Sequence, residues 1–205
     1  MDYLEFKKVF VDKVCISTNQ IHAQFSGFND NNLTRWVKKE LLIKLRNGYY
    51  TFPDYLTEPA SSIFIANHIY RPSYISLHSA LAFYGIIPEA VVQTTSVTSL
   101  KTIEFNNRFG TFSYKSIMPV LMFGYDQKPF INSMTILIAQ PEKALIDLLY
   151  LYPLYNSADE IKALRLDEVL MHEIINPERL NDYTQRIKNK ALNNRVNLMI
   201  ESYQL

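Results

Sequence analysis

The stretch "KKELLIKLRNGYYTF", Lys38 to Phe52, joins a basic run, a short apolar and polar alternation and an Asn-Gly pair. Asn-Gly is the favoured two-residue type I′ turn because both central residues need positive φ, so Asn47-Gly48 predicts a hairpin. Such a turn sets Arg46 opposite Tyr49, Leu45 opposite Tyr50, Lys44 opposite Thr51 and Ile43 opposite Phe52. Opposed side chains share a face. Ile43, Leu45, Tyr50 and Phe52 then form an inner side, and Lys44, Arg46, Tyr49 and Thr51 face out.

Working upstream, Asp2 with Glu5 has the capping-box pattern, and Phe6, Val9, Phe10 and Val14 recur at helical spacing, predicting a helix over 3–15. Ser17 with Gln20 repeats that pattern before Ile21 and Phe25, and Gly27 is placed to end this second helix. Asn29 or Asp30 can cap a third, over 31–41, with Leu33, Trp36, Val37 and Leu41 on one arc. Its opposite arc holds Asn31, Thr34, Arg35, Lys38 and Lys39, while Glu40 falls awkwardly among the apolar residues. Three helices and then a hairpin match the order of a winged helix-turn-helix, with 31–41 as recognition helix.

Working downstream, "PDYLTEPASS" (Pro53 to Ser62) has two prolines among polar residues and reads as a linker. The division expected is a winged helix over 1–55 and a larger mixed domain over 60–205, giving an α+β fold. "SSIFIANHIY" is helical in pattern, and Ser76 is placed to cap "LHSALAFYG", which Gly85 stops. Strands are expected over 91–97, 101–105, 111–117, 120–125 and 135–139, where β-branched and aromatic residues gather. Pro141 opens the helix "PEKALIDLLYLY" and Pro177 another, with helices to the end.

Charge supports a local rather than a global site. Residues 31–52 hold five bases (Arg35, Lys38, Lys39, Lys44, Arg46) against the single acid Glu40, in a chain of 205 residues whose net charge is +1. Without a global field, a polyanion must be met by that patch. The single Cys15 excludes an internal disulfide, and four scattered histidines give no metal-ligand spacing, so no metal or cofactor is expected. The N-terminus lacks the pattern of a signal peptide, and apolar runs fall well short of the roughly 18 to 20 residues of a bilayer span. A soluble cytoplasmic protein with no membrane contact is expected. No G-x-S-x-G elbow, phosphate loop or H-E-x-x-H occurs, and Glu142, Lys143 and Asp147 lie on a helix whose Ala144, Leu145, Leu148 and Leu149 spacing points to core packing. An enzyme is not expected.

The chain resembles the AbiEi family, antitoxins and transcriptional regulators of type IV abortive-infection toxin-antitoxin systems. The resemblance is carried by Gly48-x-Tyr50, by Ser76-x-x-Ser79-Ala80-Leu81 with Gly85, and by Pro141-Glu142-Lys143-Ala144-Leu145-x-Asp147, in the family's order over nearly the full length. It implies a winged helix that represses its own operon, and a C-terminal domain that counters a nucleotidyltransferase-like toxin, usually without a stable complex with it. With the hairpin, it favours double-stranded operator DNA over a merely hydrated helix face for the polar arc. Asn31, Thr34 and Arg35 would then meet base edges, with Lys38 and Lys39 toward the backbone. Lys44, Arg46 and Tyr49, with Asn47 at the wing tip and Thr51 behind, would brace phosphates or enter the minor groove. Trp36 is a core anchor. The alternative is a module that uses the winged helix to bind protein or RNA and does not read duplex DNA.

Overall fold

In a computed structural model that describes residues 1–58, 60–88, 92–130 and 134–205, the chain is a mixed α+β protein with two sheets. Its first part runs α1 (Tyr3–Phe10), β1 (Ile16–Ser17), α2 (Thr18–Gln24), α3 (Asn31–Lys38), β2 (Ile43–Arg46) and β3 (Tyr49–Thr51). The three strands pair antiparallel in the order β1-β3-β2. Phe6, Phe10, Ile16, Ile21, Phe28, Leu33, Trp36, Leu42 and Phe52 form one apolar cluster, rich in tilted aromatic contacts around Phe6 and Trp36.

α1 stops five residues before the expected end at residue 15, and Asp2 offers no side-chain cap. The reason lies beyond the helix. Val14 and Cys15 are buried in the larger core, and Ile16 pairs with Tyr50 as a strand, so the chain must leave helical geometry between them. A two-residue strand leaves no alternation to detect. The Ser17 and Gln20 capping box is formed as expected, with Ser17 accepting from the Gln20 amide and Gln20 accepting from that of Ser17. The stretch read as a linker is ordered on either side of Pro59, which lies outside the described residues. Pro53–Thr57 is a 3₁₀ turn held to α1 by Lys7–Asp54 at 3.0 Å and by Tyr55 Oη donating to the Val11 carbonyl at 2.7 Å, and Ser61 already opens the next helix.

From there run α4 (Ser61–Ile69), β4 (Ser73–Ile75), α5 (Leu77–Phe83), β5 (Gln93–Thr98), β6 (Ile103–Asn107), β7 (Gly110–Ser116), β8 (Tyr125–Pro129) and β9 (Thr135–Ala139). Five helices complete the chain: α6 (Pro141–Leu151), α7 (Ala158–Lys162), α8 (Glu168–Ile174), α9 (Pro177–Ile187) and α10 (Lys190–Tyr203). The sheet is mixed, in the order β6-β7-β5-β4-β9-β8, with β7 parallel to β5 and β9 parallel to β4. One expectation is corrected and one strand is added. Residues 120–125 are not a strand: Pro119–Leu121 makes a 3₁₀ turn, and pairing begins at Tyr125. The central strand β4, which the sequence did not disclose, is three residues long and buried throughout, so it shows no amphipathic signal. Val91, the first residue of the expected strand 91–97, lies outside the described residues.

Helices cover both faces. Tyr114 of β7 donates to the Ala66 carbonyl of α4 at 2.7 Å, whereas Tyr74 of β4 reaches Asp147 of α6 at 2.9 Å on the opposite face. α6 is the hub. Pro141 starts it, and every residue from Pro141 to Leu149 is buried. Asp147 accepts from Lys143 one turn earlier, from Tyr74 Oη and from Ser76 Oγ at 2.8 Å, while Lys143 also donates to Tyr74 Oη at 2.9 Å. Burial drives the Asp147 carboxyl upward and the Lys143 ammonium downward, and their mutual attraction opposes both shifts. Ser76, expected to cap α5, spends its hydroxyl here, and Leu77 enters α5 in a left-handed conformation with φ of 57°. Gly124, at φ of 68°, lies where a Cβ would come within 2.8 Å of Tyr183 and 3.2 Å of Lys143.

Removing one member of a buried pair strands the other charge, which typically costs about 3 to 5 kcal/mol, whereas removing both can be nearly neutral. Lys143→Met is therefore expected to lose stability of that order, and Lys143→Met with Asp147→Leu to regain at least half of it, in urea titrations monitored by circular dichroism. A single variant as stable as the parent would remove the pair from this role.

Candidate nucleic-acid interface

α3 owes its geometry to its two ends. Asn29 Oδ1 accepts the Asn31 amide at 2.9 Å, while the Asp30 carboxylate turns to His22 Nε2 at 3.0 Å and makes no side-chain cap. The helix ends at Lys38 rather than at residue 41. Glu40 takes φ of 56°, the Leu41 amide donates back to the Trp36 carbonyl at 2.9 Å, and the Glu40 amide donates to that of Val37 at 3.0 Å. This is a Schellman stop built on a non-glycine residue. It accounts for Glu40 among the apolar positions, because Glu40 is no longer on the helix and is exposed. Leu33 and Trp36 are buried, and Asn31, Thr34, Arg35, Lys38 and Lys39 are all exposed. The Arg35 guanidinium is steadied by Asn32 Oδ1 at 2.9 Å.

The hairpin forms at Asn47-Gly48 with Arg46 opposite Tyr49 as expected, but only Gly48 takes positive φ (79°), so the turn is not the expected type I′, and Lys44 pairs with Tyr50 and Ile43 with Thr51. The register slips because Leu45 is the extra residue of a bulge, which re-aims its side chain. Leu45 is buried in the larger core rather than the smaller one, and its carbonyl accepts from Asn107 Nδ2 of β6 at 3.1 Å. Thr51, expected on the outer side, is 0% exposed, with an Oγ1 that has no hydrogen-bond partner among the described residues. Tyr50, expected inside, shares the register position of Lys44 and is partly buried.

Arg46 is the main correction. Its guanidinium lies 4.8 Å from the Phe105 ring, 5.5 Å from Tyr70 and 5.6 Å from Tyr49, and Nη1 donates to the Ile69 carbonyl at 2.5 Å. An aromatic cage with a carbonyl at its base partly compensates a cation that has given up some of its hydration, although the buried Nε has no hydrogen-bond partner among the described residues. Arg46 is a clamp between the hairpin and the larger core, and Tyr49, partly buried, is one wall of it. Of the ten residues assigned to the site, Asn31, Thr34, Arg35, Lys38, Lys39, Lys44 and Asn47 are open to solvent. Arg46 and Tyr49 are partly buried, and Thr51 is fully buried. Sequence reasoning missed Tyr70, Phe105 and Asn107, the partners that decide this, since they lie far along the chain and have no local signature. A groove of about 570 Å³ runs between Lys44 and Asn47 on the hairpin and Glu104 and Asn106 on β6.

Among the described residues no three His, Cys, Asp or Glu side chains are grouped to hold a metal ion. Burial pushes the Cys15 thiol up to about 12, which disfavours the reactive thiolate. Glu142 serves packing: Oε1 accepts the Asn176 amide at 2.7 Å, and Oε2 lies 3.8 Å from Arg179 Nε. His68 stacks on Phe64 with centroids 4.0 Å apart, and its Nδ1 faces the Phe64 carbonyl at 2.8 Å, so that nitrogen carries the proton. Its ring borders a cleft of about 530 Å³ with Asn67, Arg71, Tyr125 and Gln127, and burial holds it down to about 4. Comparison of the chain with protein-family models and with curated proteins yields no match.

The clamp and the buried ring each lend themselves to measurement. Arg46→Met should destabilise the chain by about 2 to 3 kcal/mol, through the lost charged hydrogen bond and the emptied cage, and Arg46→Lys should restore only part of that in the same denaturation assay. For His68, the unfolded side chain takes up a proton near pH 6.5 and the folded one only near 4, so stability is full above that window and falls as the pH drops through it. Thermal unfolding from pH 7 to 4 should show a smaller drop for His68→Phe than for the parent; parallel curves would contradict it.

Proposed function

We propose that the first part of the chain is a winged helix-turn-helix that binds duplex DNA, and that the protein is an AbiEi-like autorepressor and antitoxin. The observation that carries this is the order helix, strand, helix, helix, strand, strand, with a sheet ordered β1-β3-β2 and a hydrated basic face on the helix before the hairpin. Asn31, Thr34 and Arg35 meet base edges near the start of α3. Lys38, Lys39, Lys44 and Asn47 hold phosphates. Residues 60–205 form the second domain and oppose a nucleotidyltransferase-like toxin without a stable complex, a role that rests on the three family motifs alone. Of those motifs, Ser76, Lys143 and Asp147 belong to the buried network, so their recurrence in the pattern supports a shared fold rather than a shared active site.

The loss of Arg46 to the clamp gives one specific observation in favour of the second reading, a protein- or RNA-binding module. It lowers the available basic excess over residues 31–52 from four to three. A mobility-shift titration with the duplex upstream of the reading frame separates the two. The DNA reading expects specific retardation. Arg35→Ala should cost about 1 to 3 kcal/mol on the operator and much less on random duplex. Lys44→Ala should weaken both alike and flatten the salt dependence by about one unit. No retardation of the parent at low salt would leave the module. Growth rescue on co-expression with a neighbouring nucleotidyltransferase tests the antitoxin role separately.

A further inference from the structure

The groove beside the hairpin has a second bank that belongs to the larger part of the chain. β6 alternates there: Phe105 and Asn107 turn toward Arg46 and Leu45, while Glu104 and Asn106 are exposed. Asn107 does two jobs with one amide. Its Nδ2 donates to the Leu45 carbonyl at 3.1 Å, and its Oδ1 accepts the Phe109 amide at 2.8 Å, closing the turn between β6 and β7. Arg108 lies inside the loop that this second bond closes. Phe109, the other turn residue, packs on the larger core, so the turn is held from both sides. Arg108 itself is exposed and has no ion pair among the described residues. The turn that carries this cation is thus tied to the hairpin through Asn107, which closes the turn with its Oδ1 and meets the Leu45 carbonyl with its Nδ2.

We propose that the β6–β7 turn is a second phosphate contact, with Arg108 binding the DNA backbone that passes along the groove between Lys44 and Asn106. This deepens the proposed DNA reading and rests on it. The cation engaged in the cage at Arg46 is complemented, in the same neighbourhood, by one that sequence order places some sixty residues later. Glu104 on the groove wall is an internal control of opposite sign, because its carboxylate would repel the same phosphates.

The test is a salt series of binding titrations with the full chain on the upstream duplex and on a random duplex. Arg108→Ala should weaken both about fivefold at physiological salt and reduce the slope of log affinity against log salt by about one unit. Arg108→Lys should retain most of the affinity, and Glu104→Gln should tighten binding. Parent binding with Arg108→Ala and Glu104→Gln unchanged would overturn this contact and leave the α3 reading standing. A parent chain that binds neither duplex would overturn both. All variants lie at exposed positions, and unchanged thermal unfolding excludes a folding defect as the cause.

Discussion

The buried carboxylate of Asp147 dictates much of this fold. A charge removed from water must find donors, and here they come from a lysine on its own helix, a tyrosine in the middle of β4 and a serine at the entrance to α5. Those three demands fix α6 against β4 and set the point where α5 begins. Two local features sit beside them: Ser76 turns its hydroxyl to Asp147 and makes no side-chain cap, and Leu77 takes a left-handed backbone at the entrance to α5. Around the network, Leu145, Leu148 and Leu149 provide the apolar burial, and Arg195 of α10 donates to the Leu149 carbonyl at 2.9 Å near the helix end.

The joint between the two apolar clusters obeys a similar logic at smaller scale. A bulge at Leu45 sends one hairpin side chain into the neighbouring core, and the cation beside it closes the seam by cage and carbonyl. β2 and β6 meet there without backbone pairing between the two sheets; the side chain of Asn107 makes the link instead. Edge strands are thereby covered while their sheets remain separate. Val14 and Cys15, from the turn after α1, add a second point of entry into the larger core.

What the sequence disclosed was what short-range chemistry controls. Asn47-Gly48 gave the hairpin, Ser17 with Gln20 gave the second helix, and the arc of Leu33 and Trp36 gave the buried side of the third. Pro141 marked the hub helix. The failures share a cause, which is that the deciding contact lies elsewhere in the chain. Glu40 stops a helix where glycine would be expected, β1 and β4 are too short for a period, and the slipped register at Leu45 answers to a core assembled from residues beyond 60. Arg46 escapes a local reading for the same reason: its cage includes Tyr70 and Phe105, which no window around residue 46 contains. The exposed part of the candidate site, from Asn31 to Lys39 with Lys44 and Asn47, was legible because exposure on an amphipathic helix and at a turn tip depends on neighbours in sequence.

A helix sequestered from Pro141 to Leu149 has no spare side on which to absorb change in length. Inserting or deleting one residue just ahead of Lys143 would rotate the rest of the helix by about 100°, swinging the ammonium and the carboxylate among leucines and aliphatic side chains into the tyrosine's place. A chain that keeps this network is therefore held to one fixed count of residues between the end of β9 and Asp147. Variation in length must fall outside that span.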